Sequence, residues 1–150
     1  VMVSMDDGRI EEVVERALET TPGVVGMNNH MGSKATADSR VMRAVIAVCR
    51  KHDIFFFDSL TSSRSVASEV ARSMGMAGLS NDLFLDNKGD DIRGRMDRLL
   101  EIASSRGYAT GIMHVRRDSL EGLKWMIEAA GRRGIRFVTL REIADRVKIS

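Results

Sequence analysis

Ile54-Phe55-Phe56-Phe57-Asp58 is the stretch that decides the fold: a continuous apolar run of strand length that stops on a carboxylate. A run with no polar alternation is buried on both faces, as in a parallel sheet covered by helices. Upstream, Val41, Ala44, Val45 and Val48 recur at helical spacing and predict a helix over 36–51. Before it, Val24-Val25-Gly26-Met27 reads as a shorter strand that turns polar at Asn28-Asn29-His30. Ile10, Val13, Val14, Ala17 and Leu18 predict a first helix, capped by Ser4 or Asp6 and ended by Thr21-Pro22-Gly23. Downstream the alternation continues with a helix over 65–74, a strand at Leu83-Phe84-Leu85, a helix over 91–105 and a strand over 108–113. Asp118-Ser119-Leu120-Glu121 has capping-box spacing and opens a helix through Ala130; a strand at Ile135-Arg136-Phe137-Val138 and a short helix over 141–147 follow. Short apolar strands alternating with amphipathic helices define an α/β fold built of parallel βα repeats.

At 150 residues and 43% hydrophobic content, residues 1–150 read as a single domain. The net charge of +2 comes from 23 basic and 21 acidic side chains, with no basic stripe interleaved with aromatics, so nucleic acid is not an expected partner. No apolar run reaches the roughly 18–20 residues of a membrane span. The lone Cys49 lies in an apolar helical run, which rules out an internal disulfide and reads as a packed, inert thiol. His52, beside Lys51 at a helix C-terminus, reads as a surface residue favoured by the helix dipole.

Parallel strands point one way, so the residues just after each strand gather at one carboxyl edge, where such folds place their sites. The first groups with catalytic or ligating potential after successive strands are His30, Asp58, Asp86 and His114, each 28 residues from the next. The equal spacing predicts equivalent positions in four βα units. Two imidazoles and two carboxylates there suit zinc or a similar divalent ion. They equally suit loop and helix capping by the aspartates and hydrogen bonds from the histidines to loop backbone. The hydroxyls of Ser59, Thr61, Ser62 and Ser63 sit beside Asp58 without a nucleophile elbow and read as helix caps; neither a dinucleotide fingerprint nor a P-loop occurs.

Four segments in order, Gly26-Met27-Asn28-Asn29-His30-Met31-Gly32-Ser33, Phe55-Phe56-Phe57-Asp58-Ser59-Leu60-Thr61-Ser62, Asn81-Asp82-Leu83-Phe84-Leu85-Asp86-Asn87 and Gly111-Ile112-Met113-His114, resemble the divergent polysaccharide deacetylase family of the NodB-like carbohydrate esterases. The resemblance implies a distorted (β/α) barrel, an exported or cell-envelope protein, and zinc-dependent removal of acetyl groups from a polysaccharide. A bound ion lowers the pKa of its water toward about 7 and polarises the acyl carbonyl, and a positioned histidine protonates the leaving group. Carried onto this chain, the resemblance implies His30 as a metal ligand with Asp58 an alternative ligand, and His114 as general acid or a further ligand. Asn28, Asn29, Ser59, Thr61 and Asp86 become candidates to line the cleft and touch sugar hydroxyls.

Two departures shape the expectation. Better-known relatives carry a second histidine four residues after the first, where this chain has Lys34, and a catalytic aspartate pair on a strand upstream of all of these segments. Asp6-Asp7 reads as helix-start charge rather than as that pair, so residues 1–150 are expected to form most of a barrel without its N-terminal strands. Val115 also stands where the family usually has proline. The competing expectation is a non-catalytic relative that binds envelope polysaccharide or a protein through the same cleft. An unpaired first sheet edge also predicts a homodimer.

Overall fold

The structure, a computed structural model, describes residues 1–87, 89 and 91–148. The chain divides into two compact units, residues 1–80 with 144–150, and residues 81–143.

In the first unit α1 (Asp7–Glu19) leads to β1 (Gly26–Asn28), α2 (Ser33–Thr36), α3 (Ser39–Lys51), β2 (Phe55–Asp58), α4 (Ala67–Ser73) and β3 (Leu79–Ser80). The strands form one parallel sheet in the order β1-β2-β3. Asp6 caps α1 by accepting from the Arg9 N–H, and Asp7 pairs with Arg40, so both aspartates serve the helix start as expected. The helix expected over 36–51 is broken. The Asp38 carboxylate accepts from the N–H groups of Arg40 and Val41 and starts α3 afresh, leaving α2 as a single turn.

α3 is buried on more than the single stripe read from the sequence. Met42, Ile46 and Cys49 join Val41, Ala44, Val45 and Val48 in the core, because α1 covers one side of the helix while β2 and α4 cover another. Ile10 and Val14 of α1 complete this core with Phe56, Val70 and Ala71. Each fully buried aliphatic side chain contributes roughly 1.5–3 kcal/mol. Burial pushes the Cys49 thiol up to about 12, so it stays a protonated packing group. His52 lies at the C-cap of α3 on the surface, where its Nε2 meets Glu15 at 2.6 Å beside the Lys51–Glu15 ion pair. β1 approaches β2 closely at Gly26, where an added Cβ would lie 2.3 Å from the Phe55 ring.

In the second unit β4 (Leu83–Phe84) and β5 (Gly111–Ile112) form a parallel pair covered by α5 (Ile92–Arg106) and α6 (Arg117–Arg132). Leu85, Met96, Leu99, Leu100, Met126 and Ala130 make its core. α7 (Leu140–Lys148), of which only the first turn belongs to this unit, opens with a true capping box: Thr139 Oγ1 accepts from the Glu142 N–H, and the Glu142 carboxylate accepts from the Thr139 N–H.

α6 begins one residue before Asp118, so its N-cap falls on Arg116, which makes no side-chain cap, and Asp118 and Glu121 lie inside the helix instead of closing a capping box. Ile135–Val138 forms no ladder among the described residues; Ile135 packs against the second core while Phe137 is half exposed. The strand expected over 108–113 narrows to two residues, and β3 was missed because Leu79 is the only bulky apolar residue in its two-residue length. No helix among the described residues is long and apolar enough to cross a membrane.

Candidate functional site

The ladders test the 28-residue spacing directly. β4 and β5 pair Leu83 with Gly111 and Phe84 with Ile112, an offset of 28 that places Asp86 and His114 at matching positions past the strand ends. β1 and β2 pair Gly26 with Phe55, an offset of 29, so His30 and Asp58 are out of step by one residue. β2 pairs with β3, where Asp58 meets Ser80, and β4 belongs to the other sheet. The equal intervals therefore mark true equivalence for Asp86 and His114 and not for all four residues.

In the first unit the loops after β1 and β2 are stitched together by the predicted polar residues. Asn28 Nδ2 donates to Ser59 Oγ at 3.1 Å, and Asn29 Oδ1 accepts from the Ser59 N–H at 2.8 Å. Asn29 Nδ2 donates to the Met31 carbonyl and to Thr61 Oγ1, while Ser33 donates to the Thr61 carbonyl. Ser59 is buried inside this lattice; Asn28, His30 and Thr61 are exposed. Met31 and Leu60 both hold left-handed backbone, at φ 59° and 52°, a conformation that bulky side chains rarely adopt and that the lattice enforces.

Asp58 is buried and committed internally. Its Oδ1 accepts from the Leu60 N–H at 2.9 Å and its Oδ2 from the Ser65 hydroxyl at 2.6 Å. Among the described residues no three His, Cys, Asp or Glu side chains gather to hold an ion. The donors described therefore do not by themselves make a zinc shell.

The second unit holds a different arrangement. Asp86 and His114 lie in the loops after β4 and β5. Asp86 Oδ1 meets His114 Nδ1 at 3.0 Å, and Asp86 Oδ2 accepts from the His114 backbone N–H at 2.8 Å. The carboxylate is 1% exposed and the imidazole 56%, so a buried anion holds one ring nitrogen while the rest of the ring faces solvent. Arg116 Nη1 donates to the Asp86 carbonyl at 3.1 Å and the Arg116 N–H to the His114 carbonyl, which braces the loop. Burial acts to raise the Asp86 pKa, but hydrogen bonds from Ser119 and His114 outweigh it and hold the carboxyl below its ordinary range. An ionised acceptor on Nδ1 selects the tautomer with its proton there and leaves Nε2 to exchange a proton with a ligand. Asp86, expected to touch sugar, instead has its carboxylate oxygens turned onto His114 and Ser119. Ser119 was read only as part of a capping box, and its link to Asp86 spans 33 residues, beyond any local pattern.

A parallel α/β chain with an oriented histidine past the ends of its strands belongs to a class in which the carboxyl edge carries the chemistry. The divergent polysaccharide deacetylase profile matches residues 1–144, and the chain belongs to that family. An uncharacterized protein of Haemophilus influenzae is 31% identical over 124 residues, covering 81% of this chain and 44% of its own length. The uncharacterized protein YibQ of Escherichia coli K12 is 30% identical over 125 residues, covering 82% and 39%. The crystal structure of the uncharacterized protein ATU2773 from Agrobacterium tumefaciens C58 shares the fold with a TM-score of 0.80 at 22% identity, covering 89% of this chain and 56% of that one. The chain thus spans about two-fifths of the length of the curated relatives it matches.

Proposed function

We propose that this chain supplies the general acid of a carbohydrate deacetylase that hydrolyses acetyl groups on a polysaccharide, with the βα repeats contributing to a distorted (β/α) barrel. The observation that carries the reading is the buried Asp86 carboxylate behind the exposed His114 ring. Hydrolysis of an N-acetyl group adds water across the C–N bond, and the nitrogen leaves only once protonated. His114 delivers that proton from Nε2 while Asp86 keeps the Nδ1 proton and stabilises the imidazolium between steps. Asn28, Asn29 and Thr61 offer amide and hydroxyl groups suited to sugar hydroxyls, and buried Ser59 holds the two amides in place.

Zinc belongs to the proposal as a ligand to be measured. His30 presents an exposed imidazole, and an ion bound there would take further donors from outside the described cluster. A second reading, polysaccharide binding without turnover, is favoured by Lys34, whose ammonium cannot ligate at the position of the second histidine.

Acetate release from acetylated chitooligosaccharides by the full-length protein, assayed with metal content before and after chelation, separates the two. Release that chelation abolishes and zinc restores, together with zinc loss in His30→Ala, supports the deacetylase with its metal. Saccharide binding without acetate release supports the second reading.

A further inference from the structure

We propose that Ser119 is a positioning residue of this site, its buried hydroxyl locking the Asp86 carboxylate in the orientation that keeps the His114 proton on Nδ1. The inference rests on the reading of His114 as the proton-transfer residue. It starts from an asymmetry in what holds Asp86. Both Asp86 and His114 lie on loops past the strand ends, and of the three hydrogen bonds the carboxylate accepts from the described residues two come from His114 itself, one from the ring and one from the backbone. A pair that holds only itself can swing as a unit. The third bond, from Ser119 Oγ to Asp86 Oδ2 at 2.7 Å, is the one that ties the carboxylate to a regular element, the first turn of α6. Sites braced from helices or strands are held more tightly than sites braced from loops.

The packing around Ser119 is built for that reach. Its side chain is fully buried, so its hydroxyl has no water partner to exchange for the carboxylate. One turn further along α6, Gly122 lies against α5, where an added Cβ would sit 2.8 Å from Ile92 Cγ2 and 3.1 Å from Met96 Sδ. The missing side chain lets α6 settle onto α5, and that close seat brings the first turn of α6 down to Asp86. Ser119 thus stands in the first turn of α6 with its hydroxyl turned onto the carboxylate. Ser119 is hydrogen-bonded to the carboxylate and not to the imidazole, so it acts through Asp86.

Imidazole nitrogen-15 chemical shifts of His114 in its neutral form, measured on the full-length protein without substrate, test this directly. The wild type is expected to show one tautomer, protonated on Nδ1. Ser119→Ala, and Ser119→Cys, which fills the same space with a weak donor, are expected to raise the Nε2-protonated share several-fold, while Ser119→Thr restores the wild-type pattern. Folded Ser119→Ala and Ser119→Cys variants that keep the wild-type tautomer would overturn the inference. Unfolding of both would overturn it too, because Ser119 would then be a packing residue. The tautomer is read independently of turnover, so a failure of acetate release leaves this result standing, and an unchanged tautomer leaves the deacetylase reading standing.

Discussion

Replacing His114 with alanine is expected to lower acetate release about 10²- to 10⁴-fold with the thermal unfolding temperature nearly unchanged, because the ring is largely exposed and its removal opens no core cavity. KM should move little, since the lost interaction belongs to the transition state. Asp86→Asn is expected to reproduce much of the kcat loss. An amide can offer its nitrogen to Nδ1 and so favour the wrong tautomer, which is the logic of the serine-protease aspartate. Asp86 also carries a pH signature. Its folded pKa lies below the ordinary 3.8, so its contribution to stability is complete above that value and disappears as pH falls through the lower folded value. Any loss of activity between neutral pH and about 4 therefore belongs to another group. Activity retained by His114→Ala within about threefold of wild type would remove the histidine from the chemistry.

Asp58→Ala should give the largest loss of stability among the candidate-site variants, about 2–4 kcal/mol, since it removes a buried carboxylate together with its bonds from the Leu60 N–H and the half-buried Ser65 hydroxyl. In a chain of this size that lowers the unfolding temperature by roughly 5–15 °C. Asp58→Asn keeps one acceptor and should cost less. Calorimetry paired with metal analysis separates the two roles open to Asp58. A lowered unfolding temperature with zinc content unchanged marks a loop anchor, whereas lost zinc at an unchanged unfolding temperature marks a ligand.

The longer helices were the legible part of the fold, because they carry an apolar stripe long enough to repeat at helical spacing, whereas the single turn α2 carries none. α3 shows the limit: the stripe reveals one buried face, and only the tertiary arrangement reveals that α1 covers another. Strands were legible in proportion to apolar length. Phe55–Asp58 stood out, and Leu79–Ser80, two residues held by their neighbour in the ladder, carried no signal of their own. The 28-residue interval found the Asp86–His114 pair because it coincides with the register of β4 and β5, and misled for His30 and Asp58 because β1 and β2 are offset by 29. Ser59 and Asp58 looked like cleft residues because polar side chains at strand ends usually are. Here the burial of their polar groups demands internal partners, and the Asn28–Asn29 pair and Ser65 supply them.

Whether Asp86 acts through His114 is decided by a double-mutant cycle on kcat for acetate release, comparing His114→Ala, Asp86→Asn and the double variant. If Asp86 works only through His114, the double variant is no slower than His114→Ala alone, the grossly non-additive outcome expected of residues that act as one unit. Losses that multiply, with the double variant slower by the product of the two single effects, would show instead that the carboxylate and the imidazole serve separate steps.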